Sequence, residues 1–311
     1  MRVYRGHSRS VSAPVVLAIG NFDGVHLGHT ALLGRLAQVA QELGLPPTIL
    51  TFEPHPREFF APDSAPARLT TLREKLELLA DQGVAQAMVC PFNAAFAALS
   101  AEQFVEQVLC RGLQVRHLII GDDFRFGRGR QGDYSLLEVA GQHLGFGVEA
   151  MESVVADGER VSSSGVRRAL AGGQMAHAAR LLGRPYAMDG QVSHGDKIGR
   201  QLGFATANIR VKHNPLPMTG VFAVEVAGLG EQLLPGVANL GVRPTVGGTR
   251  PLLEVHLFDF DRDIYGAHIS VRFVQKLRDE QRFPNLDALK AQIAADAAAA
   301  RAYFTLSTHN G

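Results

Sequence analysis

Apolar positions along the first half of the chain follow two alternating patterns. Short continuous runs such as VVLAI (Val15–Ile19) and TILTF (Thr48–Phe52) predict buried strands. Leucines and valines at helical spacing between Leu32 and Leu43 predict a helix, and Gly44 marks its end. Further strands are predicted at residues 85–90, 117–121 and 148–151, and further helices at 72–80, 101–109, 136–142, 166–171 and 175–182. This alternation predicts an open, mostly parallel sheet covered on both faces, which binds ligands beyond the carboxyl ends of its strands.

The pattern changes near Tyr186. From Gly190 onward, short runs such as GVFAVEV and HISVRFV are separated by glycine and proline, which predicts an antiparallel barrel or sandwich. An alanine-rich helix is predicted from Leu286 to about Ala300. We therefore predict an α/β domain over residues 1–183, and an antiparallel β-barrel domain with a C-terminal helix over residues 184–311.

Composition and charge argue against several classes of protein, namely nucleic-acid-binding, membrane and secreted proteins. The 311 residues carry a net charge of +1 with both signs interspersed, which argues against a broad nucleic-acid or membrane surface. Two cysteines without a C-x-x-C spacing fit a reducing compartment, and neither a signal peptide nor a membrane span is predicted. We expect a cytoplasmic protein in which any phosphate recognition is local.

The stretch GNFDGVHLGH joins the first predicted strand to the first predicted helix. Gly20 ends the strand, Gly24 allows a sharp turn, and Gly28 permits close approach of a ligand to the backbone. His26 and His29 stand where the helix begins, and free amides at a helix N-terminus attract anions. The arrangement suits phosphate binding without a Walker lysine. The alternative is that one histidine caps the helix and the other is solvated.

Three further polar stretches follow predicted strands or open a helix. They are TFEPHP (Thr51–Pro56), GDDFRFG (Gly121–Gly127) and VSSSGVRRAL (Val161–Leu170). Ser162–Ser164 offer hydroxyls and amides, and Arg167 offers a planar fork suited to phosphate. Serines before a helix are otherwise most often caps.

These four stretches, in this order, resemble the adenylyltransferase module of bacterial bifunctional riboflavin kinase/FAD synthetases, and H-x-G-H resembles the motif of the wider nucleotidyltransferase superfamily. The resemblance implies a Rossmann-like domain in which the FMN phosphate attacks the α-phosphorus of ATP and pyrophosphate leaves. It also implies catalysis by His26 and His29. The residues implied to bind ATP are Gly20, Phe22, Asp23, Gly28, Ser163, Ser164 and Arg167, and those implied to bind the flavin are Asp123, Phe124 and Phe126.

The second half carries a glycine-rich stretch, HGDKIGRQLGFATAN. Glycines at 195, 199 and 203 with Lys197 among them suit a loop that closes over nucleotide phosphates, although an ordinary barrel turn is the alternative. Thr206 and Asn208 supply the oxygen ligands that Mg²⁺ prefers.

Glu254 lies inside the predicted strand LLEVHLFDF. A glutamate between apolar residues suits a general base with an environment-tuned pKa. The alternative is a solvent-facing strand position, because Glu254 and His256 share one face at a period of two.

GRPY, GFATAN, GVANLGVRPT, LEVHLFDFDRDIYG and KLRDEQRF, in this order, resemble the riboflavin kinase domain. The resemblance implies a six-stranded barrel-like core with a final helix, and transfer of the ATP γ-phosphate to the riboflavin 5′-hydroxyl with Glu254 as base. Ala205 stands where the family usually has proline, which implies a looser nucleotide loop. The implied ATP-binding residues are Gly195, Lys197, Gly199, Gly203 and Asn208, the metal ligands Thr206 and Asn208, and the flavin-binding residues Arg278 and Glu280.

A bifunctional enzyme is therefore the first hypothesis, with riboflavin, FMN and ATP as its small-molecule partners. It would need Mg²⁺ with ATP and no tightly bound prosthetic group, and neither nucleic acid nor membrane is an expected partner. The sequence indicates no oligomeric state. Three alternatives are a kinase with an inactive first domain, a flavin carrier without turnover, and an RNA-charging enzyme, which would need a basic anticodon-reading domain.

Overall fold

The computed structural model of the chain describes residues 1–6, 13–193, 204–245 and 248–308. The chain divides into two compact units. Unit 1 comprises Met1–Pro66 and Leu72–Ser162, and unit 2 comprises Ala67–Thr71 and Ser163–Gly311.

In the described part of unit 1, six strands form a parallel sheet in the order β1-β4-β3-β2-β5-β6. The strands are β1 Arg2–Arg5, β2 Val15–Ile19, β3 Pro47–Glu53, β4 Gln86–Pro91, β5 Val115–Gly121 and β6 Gly147–Met151. The helices are α1 Leu27–Leu43, α2 Pro56–Phe60, α3 Leu72–Asp81, α4 Ala94–Ala97, α5 Ala101–Gln103 with a π-helical continuation Phe104–Gly112, and α6 Tyr134–Leu144. A small hairpin pairs β7 Val155–Ala156 with β8 Glu159–Arg160.

The central strand β2 shows why this sheet is covered on both faces. All five of its residues are buried. Val15, Leu17 and Ile19 pack into a core with Phe104 and its neighbours, while Val16 and Ala18 pack on the opposite face with residues of α1. A continuous apolar run is what a parallel strand buried on both faces requires. The predicted parallel α/β fold is thus confirmed.

Helix α1 ends as its sequence predicts. Gly44 adopts a left-handed conformation with φ +64°, which glycine tolerates without strain, and its N–H donates to carbonyls of the last turn. The Ser100–Gln103 capping box likewise opens α5. Strand β1 carries no alternating apolar pattern and three of its four residues are exposed, so the apolar pattern gave no signal for it.

In the described part of unit 2, six antiparallel strands close a barrel in the order β10-β13-β12-β11-β14-β9. They are β9 Tyr186–Ser193, β10 Ala207–Arg210, β11 Gly220–Ala227, β12 Leu234–Thr245, β13 Gly248–Leu257 and β14 His268–Arg278. The helices are α7 Ser163–Ala171, α8 Met175–Leu182 and α9 Leu286–Thr308. The predicted barrel with a C-terminal helix is confirmed.

Helix α9 lies on the outer face of the barrel. Its Ala300 is fully buried with Val221 and Val237, and Ala297, Tyr303 and Phe304 complete this cluster. Small alanine side chains allow the helix to approach the strands closely.

The compact units divide the chain at residues 162 and 163, upstream of the predicted domain boundary at 183 and 184. Helices α7 and α8 belong to unit 2, where Gly173 lies so close to Lys276 that a Cβ would come within 2.5 Å of its Cδ. Tyr186 also donates a hydrogen bond of 3.0 Å to the Leu69 carbonyl of the same unit. The functional boundary at 183 stays a prediction. Among the helices in the described ranges, none is long and apolar enough to cross a membrane.

A partly buried ion pair joins α9 to the end of β14. Arg278 donates to both carboxylate oxygens of Asp296 at 2.8 and 2.7 Å, and Gln292 donates to the same carboxylate at 2.9 Å. Replacing Asp296 by alanine would leave the Arg278 guanidinium partly buried without this carboxylate. We expect a loss of about 3 kcal/mol in the free energy of unfolding, measured by denaturant titration. The control Asp259→Ala removes an exposed α9 pair to Arg301 and should cost far less; equal losses would contradict the assignment.

Candidate active sites

The turn between β2 and α1 is buried and conformationally constrained. Phe22 and Val25 have φ of +49° and +41°, a region that residues with a Cβ rarely adopt, and both are buried. Phe22 packs in the core beside α1, and Gly20 donates to the Leu50 carbonyl at 3.1 Å. Packing therefore holds this backbone in one shape.

His26 and His29 stack on each other where α1 begins. His26 is the N-cap residue, and its ring Nδ1 accepts the His29 backbone N–H at 3.3 Å. The two ring centroids lie 3.7 Å apart with planes 16° from parallel, and Phe22 lies 5.2 Å from the His29 ring. A Cβ on Gly28 would come within 3.2 Å of the His26 ring, so glycine leaves room for this imidazole. His26 does cap the helix, as one alternative held, but His29 packs against it rather than standing in solvent.

A buried lysine supports the same turn and was not predicted. Lys75 donates to the Thr51 hydroxyl at 3.5 Å, and that hydroxyl lies 3.2 Å from the Asn21 carbonyl, to which it donates. An ammonium can only donate, so the Thr51 hydroxyl accepts from Lys75 and uses its own hydrogen to donate to the Asn21 carbonyl in the turn. The sequence LREKLELLAD gave no signal, since its charged residues are typical of an exposed helix.

Aromatic side chains gather at and after the carboxyl ends of β3 and β4. We call Phe52, Phe59, Phe60, Phe92 and Phe96 the aromatic cluster. Their rings meet edge to face or tilted, at centroid distances of 5.2 to 5.7 Å. Phe60 is 68% exposed, and an exposed ring held in a cluster is available to stack on a ligand. Sequence reasoning missed this cluster, although FF after TFEPHP was a usable signal.

The predicted residues after β5 connect to this cluster through the buried core. Phe124 and Phe126 stack at 5.7 Å, and Phe126 contacts Phe104, which in turn contacts Phe96 of the aromatic cluster. The Asp123 carboxylate is exposed and accepts from Arg160 at 2.7 Å.

Ser163, Ser164 and Arg167 lie in the first turns of α7, in unit 2. Arg167 is half-buried, and its Nε donates to the Ala67 carbonyl at 2.6 Å. Asp23, Gly20 and Phe22 lie in unit 1 with the histidines.

In unit 2, a polar row crosses three strands of the barrel. Glu254 on β13 stands directly opposite Asn208 on β10 and Asn239 on β12. Paired residues of antiparallel strands point to the same face with Cβ atoms about 5 Å apart. Leu253 and Val255 are buried on the other face, so this row faces outward. Glu254 is therefore flanked by two amides rather than being an isolated strand-face residue.

Glu280 reaches the same row from beyond β14. Partial desolvation raises the pKa of Glu280, although a hydrogen bond with Asn239 and the charge of Arg278 lower it in part. Arg278 is bound to the Asp296 carboxylate and also donates to the Asp279 carbonyl at 2.9 Å. Thr206 lies immediately before β10, two residues from Asn208. Asn239 was missed by sequence reasoning, because only the strand register shows that it faces Glu254.

Four predicted residues of the glycine-rich loop, Gly195, Lys197, Gly199 and Gly203, lie outside the described residues. Within the part of the chain that is described, no three His, Cys, Asp or Glu side chains are grouped to hold a metal ion.

Two family models match the chain in succession. The FAD synthetase model matches residues 8–165, and the riboflavin kinase model matches residues 182–304. The bifunctional riboflavin kinase/FMN adenylyltransferase of Escherichia coli (strain K12) is 51% identical over 310 residues, covering 99% of each chain. The chain belongs to the family of bifunctional riboflavin kinase/FMN adenylyltransferases.

Other members and a solved structure extend the comparison. The bifunctional riboflavin kinase/FMN adenylyltransferase of Pseudomonas fluorescens is 51% identical over 295 residues, covering 94% of each chain. A crystal structure of a macrolide-efflux protein from Streptococcus pneumoniae is similar with a TM-score of 0.82 and 27% identity, covering 95% of this chain and 97% of that chain. The predicted family is confirmed, and in the order predicted from the motifs. The roles of single residues stay predictions.

Proposed function

We propose that the barrel phosphorylates riboflavin to FMN and that the parallel-sheet unit adenylylates FMN to FAD, each with ATP. The observation that carries this proposal is the presence of two distinct constellations in the order of the two family models. One is the stacked His26–His29 pair at the start of α1, and the other is the Asn208–Glu254–Asn239 row.

In FAD formation, an oxygen of the FMN phosphate bonds to the α-phosphorus of ATP, and the bond to pyrophosphate breaks. The phosphate is itself the nucleophile, so the reaction needs charge stabilisation more than a base. We assign this role to His26 and His29, whose imidazoles stand where α1 begins, at the positive end of the helix dipole. The residues proposed to hold and shape the nucleotide in unit 1 are Gly20, Phe22, Asp23 and Gly28. The ATP-binding role of Ser163, Ser164 and Arg167, which lie in unit 2, stays a prediction.

The aromatic cluster is the proposed platform for the flavin ring, together with Asp123, Phe124 and Phe126. A flat isoalloxazine can stack on exposed phenylalanine rings, as bases do on aromatic side chains. The support is the position of the cluster after β3 and β4, at the edge of the sheet where ligands bind in this fold.

Replacing Phe60 by alanine should raise the KM for FMN roughly tenfold in FAD formation, because it removes one exposed stacking ring. Steady-state kinetics with varied FMN would measure this, with the KM for ATP as an internal reference. The control Val139→Ala removes an exposed apolar side chain from α6 of the same unit. A KM for FMN equal to that of the control would count against a flavin platform here.

In FMN formation, the 5′-hydroxyl oxygen of riboflavin bonds to the γ-phosphorus of ATP, and ADP leaves. Glu254 is proposed to accept the hydroxyl proton. Thr206 and Asn208 offer neutral oxygens, which suit a Mg²⁺ ion held mainly by the ATP phosphates. Such an ion would neutralise phosphate charge when bound. The residues Gly195, Lys197, Gly199 and Gly203 are proposed to cover the phosphates, and Arg278 and Glu280 to stand at the flavin.

Riboflavin, FMN and ATP are thus the proposed partners, with no bound prosthetic group required. The cytoplasmic location stays a prediction from the cysteine content.

The test is a time course of the pure chain with riboflavin, ATP and Mg²⁺, with the flavins separated by chromatography. FMN should appear first and FAD should follow. Formation of FMN without FAD would support only the kinase activity. If neither product formed while the chain still bound riboflavin, the flavin carrier would be favoured.

A further inference from the structure

Gly241 lies on the outer face of β12, two residues beyond Asn239. Strand residues two apart share a face, so Val237, Asn239 and Gly241 point the same way, and Val237 packs in the cluster under α9. Gly241 therefore borders the polar row on the side away from the α9 cluster.

The carboxylate of Glu280 fills the space above Gly241. A Cβ at position 241 would lie 2.5 Å from Glu280 Oε2, and nearer still to Oε1 and Cδ. No side chain larger than a hydrogen fits while Glu280 stays in place. The atoms that would have to move are at the end of the flexible Glu280 side chain and not in the backbone. The barrel can therefore keep its fold when the carboxylate is displaced.

Asn239 holds the same carboxylate from the side. Its side chain is hydrogen-bonded to Glu280, and it stands directly opposite Glu254. Glu280 itself is exposed, so a ligand from solvent can reach it. The strand register places Asn239 opposite Glu254, and the Glu280 side chain reaches Asn239, so a single amide stands between the two carboxylates.

We infer that Gly241 and Asn239 form a seat that positions Glu280 to bind riboflavin beside Glu254. The inference rests on the proposed kinase function of this face. Riboflavin carries several hydroxyl donors on its ribityl chain, and a carboxylate that only accepts is a suitable partner for them. Gly241 and Asn239 act through Glu280 and are positioning residues, whereas Glu280 contacts the substrate.

The experiment compares Gly241→Ala, Glu280→Ala and the double variant in FMN formation by the full chain. Each single variant should raise the KM for riboflavin about tenfold through loss of one charged hydrogen bond, with the KM for ATP within twofold of wild type. The double variant should match Glu280→Ala, because Gly241 has nothing left to position. The control Val242→Ala, at the next and exposed position of β12, should leave both constants unchanged.

Asn239→Ala serves as a second variant, because it adds no bulk and keeps the test usable if Gly241→Ala unfolds. It should also raise the KM for riboflavin and should have no effect in the Glu280→Ala background. The inference would be overturned if either double variant raised the KM for riboflavin by the product of its two single effects. It would also be overturned if a folded Gly241→Ala protein had a KM for riboflavin within twofold of wild type. A wild-type chain that makes no FMN would overturn the proposed function instead.

Discussion

His29→Ala is expected to abolish FAD formation from FMN and ATP while leaving FMN formation from riboflavin unchanged. The His29 side chain does not cap α1; the cap uses the His26 ring and the His29 backbone N–H, which alanine retains. The variant therefore removes one imidazole from the proposed phosphate site and keeps the helix start. Loss of one preorganised donor typically lowers kcat about 100- to 1,000-fold.

The measurement is pyrophosphate release and FAD formation with FMN supplied, beside kinase turnover in the same preparation. His143→Ala is a useful control, because His143 is exposed in the last turn of α6 and belongs neither to the proposed catalytic pair nor to the aromatic cluster. Equal loss of both activities in His29→Ala would contradict a separate adenylyltransferase site.

Glu254→Gln should have the opposite pattern. It preserves the shape of the side chain between Asn208 and Asn239 but replaces the carboxylate by an amide, which is too weak a base to accept the proton. Removing a positioned base usually lowers turnover about 100- to 10,000-fold, so FMN formation should nearly disappear. FMN supplied directly should still become FAD.

The matched control for this variant is Glu225→Gln on β11, a half-buried glutamate that also lies between apolar strand residues. Both variants remove one strand carboxylate from the barrel, so only the proposed base separates them. Kinase turnover of Glu254→Gln at the level of Glu225→Gln would remove Glu254 from the mechanism.

Local patterns in the sequence were enough for many of the strands and helices of both folds, but not for all of them. The buried run Val15–Ile19 and the glycine after Leu43 specify a strand and a helix end through contacts near in sequence, and both are as predicted. The short strand β1 was missed because its pairing with β4, which lies more than eighty residues away, forms it rather than its own pattern.

For the candidate sites, the sequence predicted only those residues whose chemical type and near neighbours in the sequence indicated a role. Glu254 could be chosen by its type and apolar neighbours, but Asn239 joins it only through strand register. Gly241 gave no signal at all, since its role depends on a carboxylate thirty-nine positions later in the chain. The aromatic cluster likewise depends on packing between segments that follow different strands.

The capping bond at the start of α1 also fixes where the proton of His26 resides. Nδ1 can accept the His29 N–H only with its lone pair free, so a neutral His26 ring carries its hydrogen on Nε2. The fold thereby selects one tautomer before any substrate arrives. The same ring that begins the helix carries its N–H on the other nitrogen, and a second proton on the ring would abolish the cap as it added positive charge.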